Sequence, residues 1–173
     1  LVRDNSICKL CSIYSIETID YIIDKLKKRK YKILENMKLE YKYKNKILTA
    51  VNDIVIRNKN QYEAIRFDVK INNKKLNSKF IGDGLVISTP FGSTGYFNSI
   101  TKSTFTKGIG LAFNNVPEKT YEILDDNDQI EVILLRGKAL ISSDNNKKLI
   151  QIKENDKIKI RKSKEKVFIT IPK

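Results

Sequence analysis

From residue 37 onward, the apolar side chains of this chain recur at every second position rather than at helical spacing. Met37, Leu39 and Tyr41 alternate with Lys38 and Glu40, which is the pattern of a strand with one buried face. Further strands are predicted at residues 47–56 (apolar enough for a central strand), 62–71, 85–88, 109–113, 130–136, 138–141, 148–152, 157–160 and 167–171. Many short strands without helices between them predict a mainly β fold of stacked antiparallel sheets.

One segment, residues 15–30, has helical periodicity instead. Its apolar residues recur on one helical face: Ile16, Ile19, Ile22, Ile23 and Leu26. Ser15 is suited to cap the start of the helix. The lysine-rich end at residues 25–30 complements the helix dipole and is interpreted as a solvated surface. No other segment repeats this pattern, so we predict a β-rich domain preceded by one α-helix.

The composition excludes several kinds of site. The chain has no histidine, which removes Ser-His-Asp and Cys-His catalysis and every histidine-ligated metal site. Its two cysteines cannot form a disulfide framework or a closed zinc site. A net charge of +14 is compatible with nucleic acid, an anionic membrane surface or anionic small molecules. Because no apolar run approaches the ~20 residues of a membrane span, we expect a cytoplasmic protein without a membrane partner.

The stretch at residues 82–96, GDGLVISTPFGSTGY, is the leading candidate for a functional site. It holds four of the seven glycines of the chain, and glycine lets backbone N–H groups approach a ligand closely. Composition alone favours an ordinary glycine-rich turn, whereas the Asp83 carboxylate and the hydroxyls that follow favour a ligand site. The stretch lacks the Gly-Lys-Ser/Thr of a Walker loop and does not fit the dinucleotide fingerprint.

Residues 83–96, DGLVISTPFGSTGY, resemble the DGLIVSTPTGSTAY signature of NAD kinases. These enzymes phosphorylate the 2′-hydroxyl of the adenosine ribose of NAD to give NADP. Four other segments resemble family features in the same order along the chain. Residues 37–41 resemble the strand after the family's helix, and residues 49–56 resemble its strand that ends in Asn-Glu, with Asp53 in place of Glu. Residues 139–145 resemble its Val-Ser-Asp-Gly hairpin, and residues 154–158 resemble the Gly-Asp-x-Val/Ile that follows this hairpin. The resemblance covers most of the chain and is weakest at residues 97–120.

The resemblance implies a set of NAD-binding residues: Asn52, Asp53, Asp83, Thr94, Gly95, Tyr96 and Ser99. Asn52 and Thr94 can bond the adenine edge, and Asp53 can accept hydrogen bonds from ribose hydroxyls. Asp83 is expected to act similarly at the nicotinamide half. Tyr96 offers its ring or hydroxyl, while Ser99 adds a donor and Gly95 leaves room beside the base. The resemblance also implies ATP or polyphosphate as phosphoryl donor, Mg²⁺ or another divalent metal, and a homodimer or homotetramer.

The family's Gly-Gly-Asp-Gly loop, which carries its catalytic Asp and holds ATP, has no counterpart in this sequence. Cys8 and Cys11 lie where the family has a Gly-x-x-Gly-Phe-Leu turn, and they are interpreted as small residues of a tight turn. The chain also begins at Leu1 without a start methionine. We therefore expect an N-terminal α/β domain, truncated or naturally lost, to be missing. The chain alone is expected to be inactive, with no catalytic or metal-ligating residue. This interpretation divides it into a leading segment and helix, 1–34, and a β-rich NAD-binding domain, 35–173.

The sequence departs from the family pattern in two further places. Residues 97–103 replace a Ser-x-Ser-Ala-Gly-Gly-Pro segment, and residues 113–117 reduce a Thr-Pro-Ile-x-Pro segment. Three alternatives therefore stay open: a lipid kinase of the diacylglycerol and sphingosine type, a non-catalytic nucleotide sensor, and a basic nucleic-acid-binding β module. The last would require lysines interleaved with exposed aromatics, whereas most Tyr and Phe here fall on the apolar faces of predicted strands.

Overall fold

Two antiparallel β-sheets stacked face to face form the described part of the chain. The computed structural model describes residues 19–76, 79–144 and 146–173; the predictions for Ser15, Ile16, Cys8 and Cys11 lie outside them. The helices and strands of the described residues are α1 Ile19–Lys27, β1 Tyr31–Tyr43, β2 Lys46–Ala50, β3 Asp53–Asn58, β4 Ile65–Ile71, β5 Lys74–Lys75, β6 Phe80–Gly82, β7 Gly84–Ser88, α2 Tyr96–Thr101, β8 Ile109–Asn114, β9 Tyr121–Leu124, β10 Ile130–Arg136, β11 Ala139–Ser143, β12 Ile150–Ile152 and β13 Lys157–Pro172.

The first sheet has the strand order β2-β1-β13-β10-β4-β5, with β6 also paired to β4, and the second has the order β12-β11-β3-β7-β8-β9. Alternate side chains of each sheet fill one shared core, as the period of two predicts. Phe80 joins the sheets in this core, because its ring lies 5.7 Å from that of Phe67 and 4.7 Å from that of Phe113. The predicted mainly β fold of stacked antiparallel sheets is confirmed.

The predicted central strand at residues 47–56 is wrong. The run divides into β2 and β3, which belong to different sheets. Val51 and Asn52 form the crossover between them. The run was predicted as one strand because both of its halves contribute apolar side chains to the shared core, and the polar pair Asn52 and Asp53 between them does not by itself mark a change of sheet.

Two other strand predictions need correction at their ends. Residues 157–160 and 167–171 are parts of a single strand, β13, whose outer half pairs with the first half of β1. Charged pairs cross this two-stranded β1–β13 ribbon, with Lys38 Nζ 2.8 Å from Glu165 Oε2, and such cross-strand pairs support a strand that lacks apolar alternation.

β4 begins at Ile65 rather than at residue 62, because Tyr62 lies in an exposed turn. β1 begins at Tyr31 and so runs across residue 34, where the sequence was divided into a leading segment and a β-rich domain. That division of the chain stays a prediction.

The predicted helix is confirmed from Ile19 to Lys27, but its apolar residues are not buried. Ile19, Ile23 and Leu26 are each more than 40% exposed. A second helix, α2, was not predicted, and it follows a short 3₁₀ turn at Gly92–Thr94. Its six residues are too few to carry a helical repeat. Within the described part of the chain, neither helix has the length and apolar character needed to cross a membrane.

Replacing Tyr43 by phenylalanine is expected to lower the free energy of unfolding by about 2 kcal/mol, since hydrogen bonds to charged groups contribute that much. The Tyr43 hydroxyl, on the first sheet, donates to Asp156 Oδ2 at 2.6 Å, and the residue is 5% exposed. Urea unfolding measures the change. The matched control is Tyr62→Phe, whose ring is 95% exposed; equal stability of the two variants would contradict the role of this bond.

Candidate site at the signature turn

The end of β7 and the start of β3 lie side by side and carry the first group of predicted site residues. Asp53 pairs with Ser88 in the register of these strands. After β7, the backbone N–H of Thr89 donates to the Asn52 carbonyl at 2.9 Å, and the Thr89 hydroxyl donates to the Val51 carbonyl at 2.6 Å. These bonds fix the crossover against residues 89–95, which we call the signature turn.

Gly92 brings the signature turn into direct contact with the Asn52 backbone. Its N–H donates to the Thr89 hydroxyl at 3.0 Å. A Cβ atom at position 92 would lie 2.5 Å from the carbonyl carbon of Asn52 and 2.7 Å from its Cα. Only glycine fits this approach, which explains why the motif needs a glycine here. The sequence could indicate a tight turn, but not which backbone the turn touches.

The Asp53 carboxylate lies buried on the outer face of the second sheet. Residues two apart on a strand share a face, so Asp53 shares one with Val55, which packs beneath α2. Asp53 is 9% exposed, and no described residue donates a hydrogen bond to its carboxylate. Burial, and then the negative charge of Asp144, raise the pKa of Asp53 from its ordinary 3.8 to about 6. A buried carboxylate without donors is costly, and it is able to accept hydrogen bonds from a ligand.

Asp144 follows β11 and binds the same crossover from the other side. Its carboxylate accepts hydrogen bonds from the backbone N–H groups of Val51 at 2.6 Å, Asn52 at 2.7 Å and Asp53 at 3.3 Å. Asp144 is not among the site residues predicted from the sequence. The available signal was the resemblance of residues 139–145 to a family hairpin, which by itself assigned no role to this side chain.

A second group of predicted residues lies around Asp83. The Asp83 carboxylate accepts hydrogen bonds from the side-chain amides of Asn58 at 3.3 Å and Asn115 at 3.4 Å. Its backbone N–H donates to the Asn114 carbonyl at 2.9 Å. The side-chain amide of Asn114 in turn donates to the Tyr96 hydroxyl at 3.4 Å. Asp83 and Tyr96 therefore share one neighbour at this end of the second sheet.

β7 separates the two groups. Because Gly84 pairs with Arg57 and Ser88 pairs with Asp53, the groups lie at opposite ends of a five-residue strand, about 13 Å apart at the usual rise per residue. The signature turn and α2 cover the face between these ends. Thr94 ends the 3₁₀ turn and Gly95 is exposed beside it. Ser99 lies on the exposed side of α2, where its hydroxyl donates to the Gly95 carbonyl at 3.3 Å.

Aromatic packing holds α2 on this face. Phe97 is fully buried, and its ring lies 5.0 Å from that of Phe105 and 5.9 Å from that of Tyr121, both at steep angles. A Cβ at Gly110, on β8 beneath the helix, would lie 2.7 Å from the Phe97 ring. The absence of a side chain at Gly110 therefore lets α2 lie close to the sheet, with Tyr96 at its start.

A separate cleft of about 860 Å³ opens beside Pro90 and Phe91, between the β1–β13 ribbon and the β9–β10 turn. None of the seven predicted site residues lines it. Two ion pairs lie in it, Lys162 with Asp126 and Lys166 with Glu35. Lys162 Nζ lies 2.7 Å from Asp126 Oδ2, and this contact is the main cause of the lowered pKa of Asp126. The chemistry of the predicted residues therefore lies around β7 and α2 rather than in this cleft. Nor do the described residues hold a group of three or more Asp, Glu or Cys side chains that could bind a metal ion.

Comparison with known proteins gives consistent results. Residues 51–171 match the sequence profile of the ATP-NAD kinase C-terminal domain. An NAD kinase of Clostridium beijerinckii is 27% identical over an alignment of 177 positions, which covers 92% of this chain and 60% of that protein. An NAD kinase of Agathobacter rectalis is 36% identical over 91 residues, covering 50% of this chain and 32% of the relative.

Two solved structures have the same fold. Yeast NADH kinase, complexed with NADH, matches with a TM-score of 0.86 at 18% identity. The match covers 99% of this chain and 53% of the yeast chain. An NAD kinase from Archaeoglobus fulgidus, in complex with ATP, matches with a TM-score of 0.73 at 17% identity. This match covers 90% of this chain and 61% of the Archaeoglobus chain. The chain thus spans about three fifths of the length of the Clostridium beijerinckii relative.

Proposed function

The chain belongs to the family of ATP-NAD kinase C-terminal domains, and we propose that it forms the NAD-binding part of an NAD kinase. The complete enzyme would transfer the terminal phosphoryl group of ATP to the 2′-hydroxyl of the adenosine ribose of NAD and give NADP. The observation that carries this proposal is the buried Asp53 carboxylate, which has no hydrogen-bond donor among the described residues and lies beside the signature turn.

A ribose diol is a suitable partner for this carboxylate. The two hydroxyls of a ribose can each donate one hydrogen bond, and an ionised carboxylate accepts several. These bonds would compensate the desolvation that now raises the pKa of Asp53. Asn52, held beside Asp53 by the Thr89 bonds, can then present its side-chain amide to the adenine edge together with Thr94. The site thereby binds and orients the ribose that is phosphorylated.

The separation of the two groups supports one assignment for each half of the dinucleotide. The adenosine half is assigned to Asn52 and Asp53, and the nicotinamide half to Asp83. Asn58 and Asn115 hold the Asp83 carboxylate in place, leaving it partly exposed. Tyr96 contributes its ring or hydroxyl beside this group, Gly95 leaves room and Ser99 adds a donor.

The nucleotides in related structures support the choice of substrates. The yeast enzyme is complexed with NADH and the Archaeoglobus enzyme with ATP, so we assign NAD or NADH as acceptor and ATP as donor. Phosphoryl transfer also requires a group that activates the 2′-hydroxyl and charges that stabilise the transferring phosphoryl group. The residues described above bind and orient the acceptor. The activating carboxylate, Mg²⁺ or another divalent metal, and a homodimer or homotetramer stay predictions from the family resemblance.

The distribution of the aromatic side chains favours this proposal over a nucleic-acid-binding module, because the exposed ones among the described residues, Tyr21, Tyr62, Tyr121 and Phe168, are spread over separate segments of the chain. Tyr41, Phe67 and Phe113 are each at most 2% exposed, in the core between the sheets. A platform for single-stranded nucleic acid needs aromatic faces open to solvent. The named relatives are NAD kinases, which also favours an NAD kinase over a lipid kinase.

Calorimetry of the full-length protein with NAD tests the proposal. Asn52→Ala is expected to weaken binding about tenfold, because it removes hydrogen bonds worth roughly 1.4 kcal/mol. Tyr96→Phe is expected to weaken it less, since only the hydroxyl is lost. Asn127→Ala, in an exposed turn between β9 and β10, is the matched control and should bind like the wild type. A full-length protein that does not bind NAD would overturn the assignment.

A further inference from the structure

Asp144 holds the crossover from which Asn52 and Asp53 project, and we propose that it is a positioning residue of the NAD site. This inference rests on the proposed function. It assigns a role to a side chain that is 91 to 93 positions away in sequence from the groups it binds.

The hydrogen bonds to Asp144 account for the backbone donors of the crossover. Where the chain passes from the first sheet to the second, Val51 and Asn52 lie outside the strands. The N–H groups of Val51, Asn52 and Asp53 all point at the Asp144 carboxylate, with Oδ2 accepting from Val51 and Oδ1 from the other two. Successive N–H groups that converge in this way form a natural cradle for an anion. A side-chain carboxylate occupies this cradle and fixes three consecutive residues.

A second contact joins Asp144 to the site through the backbone. The N–H of Asp144 donates to the Asp53 carbonyl at 3.1 Å, so that the two residues bond each other in both directions. These bonds hold the backbone from which the Asp53 side chain projects in place relative to the signature turn, which is itself bonded to Asn52. Asp144 and the signature turn therefore hold the crossover from opposite sides.

The backbone conformation limits which residues can serve at position 144. Asp144 has a φ of +49°, in the left-handed region that Asp, Asn and Gly tolerate better than other residues. Of these three, only aspartate supplies two acceptor oxygens and a full negative charge. Asparagine and glycine variants therefore change the acceptors while keeping the backbone conformation accessible, which separates the role of the carboxylate from backbone strain.

Asp144 also contributes to the protonation of Asp53, after burial, which is the larger cause of its raised pKa. Ser88, which pairs with Asp53 in the register of β3 and β7, and the following Thr89 are neutral; Asp144 is the one charge that acts on Asp53 among the described groups. Its negative charge raises the pKa of Asp53. Because only the ionised Asp53 accepts hydrogen bonds from both ribose hydroxyls, NAD binding should weaken as the pH falls through about 6.

The test compares Asp144→Asn and Asp144→Gly in the full-length protein, with NAD titrated by calorimetry between pH 5 and 8. Asparagine keeps one acceptor oxygen for Asn52 and Asp53 but presents an N–H₂ group to Val51, so we expect affinity to fall about tenfold at pH 7.5. Glycine removes all three bonds and should cause a larger fall. The control is Asp128→Asn, which removes a carboxylate that accepts from the backbone N–H of Asp125 in an exposed turn.

Two further readouts separate positioning from a general loss of stability. Without the Asp144 charge the pKa of Asp53 falls, so the pH midpoint of NAD binding should move to lower pH in Asp144→Asn. A loss of folded protein alone would lower the active fraction without moving that midpoint. Amide hydrogen exchange at Val51 and Asn52 should speed up more than tenfold, because each loses a short charged hydrogen bond.

The possible outcomes are distinct. If the wild type binds NAD and Asp144→Asn leaves both the affinity and the pH midpoint unchanged, the positioning role is overturned, whatever the exchange rates. If the wild type does not bind NAD, the proposed function fails and the role of Asp144 in it fails too. Weaker binding with a lowered midpoint supports the role.

Discussion

Replacing Gly92 by alanine should weaken NAD binding about 100-fold and lower the free energy of unfolding by about 2 kcal/mol, the usual cost of forcing an extra methyl group into a packed site. A Cβ at position 92 would lie 2.5 Å from the Asn52 carbonyl carbon. This neighbour is backbone and cannot rotate away, so the signature turn and the crossover must separate. Asn52 and Asp53 would then lose their position relative to Thr94.

Gly137→Ala is the matched control for this variant. Gly137 lies between β10 and β11 and is not one of the predicted site residues, and its φ of +96° strains any residue that has a Cβ. Urea unfolding should therefore show Gly137→Ala destabilised, whereas calorimetry should show that it binds NAD like the wild type. If Gly92→Ala keeps the wild-type affinity for NAD as Gly137→Ala does, the close contact between turn and crossover is not what builds the site.

Asp53→Asn is expected to make the free protein more stable while it weakens NAD binding. In the wild type, burial raises the pKa of Asp53 from 3.8 to about 6, a change equivalent to roughly 3 kcal/mol at neutral pH as an upper value. The unfolded chain ionises Asp53 above about pH 4, whereas the folded chain resists ionisation until about pH 6. The wild type therefore loses stability as the pH rises between these values and levels off above them. Asparagine is neutral, so the Asp53→Asn protein does not lose this stability as the pH rises.

Urea unfolding between pH 4 and 8 measures this difference. The stability gained by Asp53→Asn should be small near pH 4, grow up to about pH 6 and stay constant beyond. NAD affinity at pH 7.5 should fall about 100-fold, because a charged acceptor for two hydroxyls is lost. Asp126→Asn is the control with the opposite sign: Lys162 lowers the pKa of Asp126, so this variant should lose stability. An Asp53→Asn protein that is less stable than the wild type at pH 8 would contradict the assignment of a buried, uncompensated carboxylate.

The sequence predicted the strands well where one face is buried and the other solvated. Residues 130–136 were predicted as a strand and form one with the same bounds, because every second side chain from Ile130 to Leu134 is buried and the polar Gln129 and Gly137 bound the run. The prediction failed where apolar character does not mark a boundary. At residues 47–56 both strands face the core, and the polar break at Asn52 and Asp53 does not by itself separate a loop from a change of sheet.

The sequence by itself determined the mainly β fold, the family and the motif at residues 83–96, because period, glycine spacing and residue order are local properties. The tertiary structure alone decided how the motif is used. The contact of Gly92 with Asn52, the docking of α2 above Gly110 and the bonds from the crossover to Asp144 all join segments far apart in the chain. Their effect on Asp53 is also non-local, since its pKa depends on burial and on a charge 91 residues away. These properties follow from packing in three dimensions, which no local pattern encodes.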